Sequence, residues 1–137
     1  MNEESKEPYF DKSANTGFTH FVNATRFSLR GLVAAFQRES AFRQELALLA
    51  ILVPCGAWLA RSPLEFLLLM GVCALVLIVE LLNSAVEAAI DRIGPERHEM
   101  SGLAKDYGSA AVMISLVLAG AVWLTLLILR LTSTTHP

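Results

Sequence analysis

One stretch, residues 64–92, constrains the fold of this chain more than any other. Fourteen uninterrupted apolar residues run from Phe66 to Val79, and Glu80 follows directly. A helix needs about 20 residues to cross the hydrocarbon core of a membrane, so a span that begins at Leu64 ends near residue 84. Glu80 is therefore expected just inside the apolar layer. An ionisable side chain is costly there and is by default a candidate functional residue.

Three more polar residues continue the line that Glu80 begins. Asn83, Glu87 and Asp91 follow it at spacings of three, four and four residues. In a helix this spacing places all four side chains on one face. Glu87 and Asp91 are expected to reach the headgroups and water. Two other interpretations stay open, because Asn83 could join neighbouring helices and the two outer carboxylates could simply be solvated.

Two further stretches are typical of membrane spans. The apolar run from Leu46 to Ala60 predicts a span at about 43–60, and the charge-free run from Ala110 to Leu129 predicts one at about 107–130. The central span, 64–84, is expected to continue as a helix to residue 92. With 54% hydrophobic residues and a mean hydropathy of +0.50, the chain is predicted to be an all-α membrane protein. A net charge of -2 argues against a nucleic-acid-binding protein.

The N-terminal third has a different pattern. Residues 18–38 carry apolar side chains at helical intervals, which predicts an amphipathic surface helix at the membrane interface. The alternative is an ordinary surface helix packed on protein. Phe27 points away from the apolar stripe. Residues 1–17 are polar and are expected to be a disordered tail, so residues 18–137 form a single membrane domain.

Positive charge is unevenly divided between the two sides of this predicted topology, and lysine and arginine favour the cytoplasmic side. One side carries Lys6, Lys12, Arg26, Arg30, Arg38, Arg43, Arg92, Arg97 and Lys105, whereas the other carries Arg61 and Arg130. We therefore expect a cytoplasmic N-terminus, with all polar clusters on the cytoplasmic side.

The polar residues on that side suggest a chemistry. Glu39 and Glu87 could bind magnesium, which takes one or two protein carboxylates and completes its shell with phosphates and water. Glu80 lies deeper, where an apolar setting disfavours the charged form and suits a proton acceptor. Lys105 could contact phosphate, or could form a membrane-boundary pair with Asp106. Because three spans are few to enclose such a site, we expect self-association. These arguments alone leave a membrane enzyme or an ion-coupled transport subunit.

Three motifs carry a family resemblance. ESAFRQE at 39–45, VELLNSAVEAAIDRIG at 79–94 and GLAKDYGSAAV at 102–112 resemble the prokaryotic diacylglycerol kinases, and the likeness extends over about residues 16–131. The resemblance implies a homotrimer with composite sites between protomers in the bacterial inner membrane. It also implies transfer of phosphate from ATP to diacylglycerol with Mg²⁺, which yields phosphatidic acid.

The resemblance implies a role for individual residues. Glu80 is the expected catalytic base with Asn83 in support, and Lys105 and Asp106 assist catalysis. The implied magnesium ligands are Glu39 and Glu87. Nucleotide contacts are implied at His20, Phe27, Glu39, Glu87, Glu96, Arg97, His98, Lys105 and Asp106. Lipid contacts are implied at His20, Ala41, Phe42, Arg43, Gln44, Glu45, Glu80 and Ser109.

The chain departs from its well-known relatives at two positions, with His20 in place of arginine and Phe27 in place of tyrosine. Two alternatives to diacylglycerol phosphorylation stay open. Some members of the family phosphorylate undecaprenol, although the AFRQE junction here looks more like the diacylglycerol enzymes. An ion-coupled oligomeric transport subunit with Glu80 as the carrier would leave Glu39, Glu87 and Lys105 without a role.

Overall fold

The structure is a computed structural model that describes residues 18–94 and 98–133. These two ranges fold into helices only, without a strand: α1 (Phe18–Arg38), α2 (Ser40–Leu59), α3 (Pro63–Ile93) and α4 (Glu99–Ser133). The predicted tail at 1–17 lies outside the described residues.

Three of these helices, α2, α3 and α4, are long and apolar enough to cross a membrane, which confirms an all-helical protein with three candidate spans. The 31 residues of α3 and the 35 residues of α4 correspond to roughly 46 and 52 Å, against a hydrocarbon thickness of about 30 Å. Both helices are therefore longer than one crossing requires, and each carries charged residues at one end, within 84–93 and 99–109.

Helix α1 belongs to a separate compact unit that ends at Gln37. Several of its large apolar side chains are exposed, among them Phe21, Leu29 and Phe36. Its placement at a membrane surface stays a prediction.

In the other unit, α3 packs most extensively against α4 and next against α2. Its buried side chains include Leu69, Val72 and Val76, while Phe42 and Leu59 are buried on α2. Gly56 lies at a close approach of the helices, where a Cβ would come within 2.8 Å of the terminal methyl of Met70. Most other apolar side chains of α2 and α4 face outward, as expected for a small bundle surrounded by lipid.

A short turn joins α2 to α3, and we call this side of the bundle the turn end. Pro63 occupies the first helical position of α3, where proline is well tolerated. The Ser62 hydroxyl accepts a hydrogen bond from the Glu65 backbone N–H at 3.2 Å. The Glu65 carboxylate in turn accepts one from the Arg61 backbone N–H at 2.7 Å. These reciprocal bonds resemble a capping box and explain why the second span begins abruptly after the first.

Two arginines at the turn end join the C-termini of α2 and α4. The Arg61 guanidinium donates to the Ser133 hydroxyl at 2.9 Å and to the Leu129 carbonyl at 2.7 Å. Arg130 donates to the Leu59 carbonyl at 3.1 Å, and its guanidinium lies 4.7 Å from the centroid of the Trp58 ring. Arg130 thus satisfies a carbonyl that the end of α2 leaves open. The positive charge of each arginine is favourable at a helix C-terminus.

We expect Arg130→Gln to destabilise the protein by about 1–3 kcal/mol, because it removes a charge-assisted hydrogen bond and a cation–π contact. The measurement is the thermal unfolding midpoint of the purified protein in detergent micelles. Arg92→Gln, which removes an exposed arginine near the end of α3, is the matched control and should leave the midpoint nearly unchanged. Equal midpoints for the two variants would contradict the role of Arg130.

Candidate active site

Four carboxylates lie near one another at the end of the bundle opposite the turn. We call them the carboxylate cluster: Glu39, Glu45, Glu80 and Glu87. Glu80 is buried within the helix packing, with 6% of its surface exposed. Glu39 and Glu87 are close enough to act on it electrostatically, and Glu80 acts in the same way on Glu45. The fold therefore brings together carboxylates that are up to 48 positions apart in the sequence.

The start of α2 places two members of the cluster. Glu39 is the N-cap residue, with an extended backbone, yet its side chain makes no capping hydrogen bond. Its carboxylate is therefore not engaged by its own helix. Glu45 lies further along α2 and is half-buried, and its Oε2 atom has no hydrogen-bond partner. A buried carboxylate oxygen without a partner is rare in folded proteins and suggests a site that a ligand or water completes.

Asn83 lies between Glu80 and Glu87 on the same face of α3. Its side-chain amide Nδ2 donates to Glu87 Oε1 at 3.2 Å, whereas its Oδ1 atom is buried without a partner. Gly108 of α4 packs directly on this amide, so that a Cβ at position 108 would overlap Asn83 Oδ1. The small residue at 108 thus allows α4 to approach the polar face of α3.

Lys105 forms an ion pair with Asp91, with 2.6 Å between Nζ and Oδ1. From the sequence, two roles are open for this lysine: contact with phosphate, or a membrane-boundary pair with Asp106. The salt bridge joins the last turns of α3 to the first turns of α4, and the phosphate contact stays a prediction. Asp91 was interpreted from the sequence only as a member of the polar stripe, so this pairing was missed.

The other expected site residues lie around the same end of the bundle or outside the described residues. Phe42 is buried, Ala41 is half-buried, and the exposed members are Arg43, Gln44, Asp106 and Ser109. His98 stands directly before α4, and its Nδ1 atom accepts a hydrogen bond from the Met100 backbone N–H at 3.2 Å. Glu96 and Arg97 lie outside the described residues.

His20 and Phe27 belong to α1 and are therefore described apart from the cluster. His20 is exposed, Phe27 is half-buried, and the Arg30 guanidinium lies 6.0 Å from the centroid of the Phe27 ring. The nucleotide contacts implied for His20 and Phe27 stay a prediction.

An apolar cavity of about 320 Å³ extends from the cluster between α2, α3 and α4. Glu45 lies on its lining together with Cys73, Leu116 and Trp123, and the Trp123 indole Nε1 is buried without a hydrogen-bond partner. Trp123 was not predicted as a site residue. It could have been, because its indole N–H lies within an apolar span and a buried donor there needs a hydrogen-bond acceptor.

The described residues contain no group of three or more histidine, cysteine, aspartate or glutamate side chains that could hold a metal ion by themselves. Glu39 and Glu87 nevertheless suit magnesium, because this ion takes only one or two protein carboxylates when substrate phosphates supply other ligands. The side chain of Glu39 is not used in capping, and only one oxygen of Glu87 is engaged by Asn83. The donor set therefore fits a metal that arrives with a nucleotide.

The family model for prokaryotic diacylglycerol kinase matches residues 26–127 of the chain. The chain belongs to the prokaryotic diacylglycerol kinase family. It is 52% identical over 108 residues to the diacylglycerol kinase of Haemophilus influenzae, an alignment that covers 79% of this chain and 92% of that one. It is 50% identical over 114 residues to the diacylglycerol kinase of Escherichia coli K12, with 82% and 92% covered. A Helicobacter pylori diacylglycerol kinase is 39% identical over 107 residues, with 78% and 84% covered.

In this diacylglycerol kinase family member, we expect Gly108→Ala to lower the thermal unfolding midpoint, because the added methyl group overlaps the Asn83 amide and pushes α4 away from α3. Gly102→Ala is the matched control on the same helix. Nothing lies within 4 Å of a Cβ at 102, so alanine there should stabilise the helix by about 0.5–1 kcal/mol. Shifts of the same sign in the two variants would contradict the packing of Gly108 on Asn83.

Proposed function

We propose that this protein phosphorylates 1,2-diacylglycerol with ATP and magnesium to give phosphatidic acid and ADP. The observation that carries the proposal is a buried carboxylate, Glu80, beside two further carboxylates, an amide and a lysine at one end of a membrane bundle. Membership of a family whose relatives are named diacylglycerol kinase supports the same reaction.

Glu80 is the proposed general base. It lies about 10 Å inward of Glu87 along α3, at 1.5 Å per residue, so it faces the lipid side of the site. Its carboxylate takes the proton of the lipid hydroxyl while the hydroxyl oxygen forms a bond to the γ-phosphorus of ATP. The bond between that phosphorus and the β–γ bridging oxygen breaks, ADP leaves, and Glu80 later releases its proton to water.

Glu39 and Glu87 are the proposed magnesium ligands. When bound, Mg²⁺ would neutralise charge on the phosphate oxygens. The two carboxylates approach from different helices, α2 and α3, so they would hold the triphosphate at the cluster. Asn83 supports this arrangement, because its hydrogen bond orients Glu87 and its position on α3 keeps it beside Glu80. Phosphoryl transfer depends mainly on such positioning and on charge stabilisation.

The remaining residues of the proposed site divide between the two substrates. Lys105 and Asp106 contact the nucleotide from α4, and the further nucleotide contacts are His20, Phe27, Glu96, Arg97 and His98. The lipid enters sideways from the bilayer and contacts His20, Ser109 and the stretch from Ala41 to Glu45. The apolar cavity that Glu45 and Trp123 line offers a space for a lipid chain.

The proposed setting is the bacterial inner membrane, with the N-terminus and the carboxylate cluster on the cytoplasmic side, where ATP is present. The uneven distribution of lysine and arginine supports this orientation. We also propose a homotrimer with composite sites. A single chain leaves many large apolar side chains exposed on three helices, and it provides few walls for a site that two substrates share.

We expect the purified protein in mixed micelles to transfer labelled phosphate from ATP to diacylglycerol, and Glu80→Gln to reduce the turnover number by about 100-fold or more. Glutamine keeps the size of the side chain but cannot accept the proton. Glu99→Gln, which removes an exposed carboxylate at the start of α4, is the matched control and should retain turnover.

Undecaprenol is offered to the same preparation as a second acceptor. Transfer to undecaprenol in preference to diacylglycerol would overturn the proposed substrate. Normal turnover by a folded Glu80→Gln protein would remove Glu80 from catalysis. Ion flux in liposomes without ATP consumption would favour a transport subunit instead.

We expect Glu39→Gln and Glu87→Gln each to raise the magnesium concentration required for half-maximal activity, because each removes one anionic ligand. The measurement is a magnesium titration of initial rates at fixed ATP, after chelation of divalent ions has abolished activity. Glu99→Gln again serves as the control for loss of one carboxylate. An unchanged magnesium requirement in both variants would contradict the assignment of these ligands.

A further inference from the structure

The ion pair between Asp91 and Lys105 has no role in the reaction as proposed so far. The two charged atoms are 2.6 Å apart, and the side chains are exposed by 68% for Asp91 and 40% for Lys105. Ion pairs with this much exposure contribute little to stability. A close pair that joins α3 to α4 beside the carboxylate cluster therefore invites a functional explanation.

Asp91 lies one helical turn beyond Glu87 on the same face of α3. At 1.5 Å per residue, the distance along the helix axis is about 6 Å. The amine of Lys105 is thus held further from the membrane than the proposed magnesium ligand, along the direction from which a nucleotide in water would approach. Its ammonium group has three N–H donors, of which Asp91 uses one. Two donors are left for phosphate oxygens.

Glu87 also acts electrostatically on Lys105. Lysine carries its charge on a flexible four-carbon chain, so it can move between neighbouring anions. Without the charge of Asp91, Lys105 would be drawn toward Glu87 and would neutralise the carboxylate that is proposed to bind magnesium. Lys105 is also the only lysine among the described residues, 18–94 and 98–133. No other lysine among these residues could supply an ammonium group to the nucleotide site.

We propose that Asp91 is a positioning residue for nucleotide binding: it holds Lys105 one turn beyond Glu87, which keeps the ammonium available for the ATP phosphates and Glu87 available for magnesium. This inference rests on the proposed function, because it assigns a role at the same nucleotide site. Asp91 itself does not touch the reacting atoms.

The test compares Asp91→Asn with Asp91→Glu in the purified protein in detergent micelles. Asparagine keeps the shape but removes the charge, so we expect the KM for MgATP to rise about fivefold. The KM for diacylglycerol and the thermal unfolding midpoint should stay unchanged. Glutamate restores the charge and should restore most of the affinity for MgATP. Glu99→Gln, a neutralised carboxylate that makes no ion pair with Lys105, should behave like the parent protein.

A calorimetric titration with MgADP measures nucleotide binding without phosphate transfer. We expect Asp91→Asn to weaken this binding by a similar factor, and to have no further effect when Lys105→Gln is already present. Unchanged or tighter MgADP binding in Asp91→Asn would overturn the inference, since tighter binding would mean that Asp91 competes with the nucleotide for Lys105. Additive losses in the double variant would also overturn it. Because the titration does not depend on the acceptor, failure of lipid phosphorylation would refute the proposed function and still leave this result decisive for Asp91.

Discussion

The arrangement of this protein depends on the burial of a single carboxyl group in a helix that the membrane surrounds. Burial of an ionised carboxylate in a low-dielectric setting is unfavourable unless polar partners lie close by. Glu80 follows the apolar run of α3 rather than interrupting it. The helix continues from there into increasingly polar surroundings. Glu80 is enclosed by helices, and Asn83, on the next turn of the same face, is an uncharged polar neighbour.

The contact between α3 and α4 makes this enclosure possible. Gly108 allows α4 to pack on the Asn83 amide, and the same packing brings Lys105 to Asp91, one turn closer to the start of α4. The close approach of α3 and α4 thus positions both the buried amide of Asn83 and the exposed ion pair of Asp91 and Lys105. At the opposite end, Arg61 and Arg130 join the C-termini of α2 and α4. Contacts between helices are therefore present at both ends of the bundle, and the polar end also carries the carboxylate cluster.

Sequence patterns predicted what is local to a helix. The three candidate spans followed from apolar length, and the shared face of Glu80, Asn83 and Glu87 followed from their spacing. The partner of Lys105 could not be predicted in the same way, because it depends on the register of α4 against α3. The unpartnered oxygen of Glu45 was hidden for the same reason, since its surroundings come from three helices. Residues of α1, including His20 and Phe27, still have only their sequence-based roles.

The polar face of α3 forms a gradient that suits substrates with opposite solubilities. Its innermost member, Glu80, is buried, whereas its outermost member, Asp91, is mostly exposed to solvent. Glu80 and Asp91 are eleven residues apart, about 16 Å along the helix axis, which is long enough to cover the proposed boundary between hydrocarbon and water. Along the polar face of α3, the hydroxyl of a lipid in the bilayer can meet the triphosphate of a nucleotide in water. A straight helix that crosses the boundary provides this geometry, which explains how so small a chain could handle both substrates.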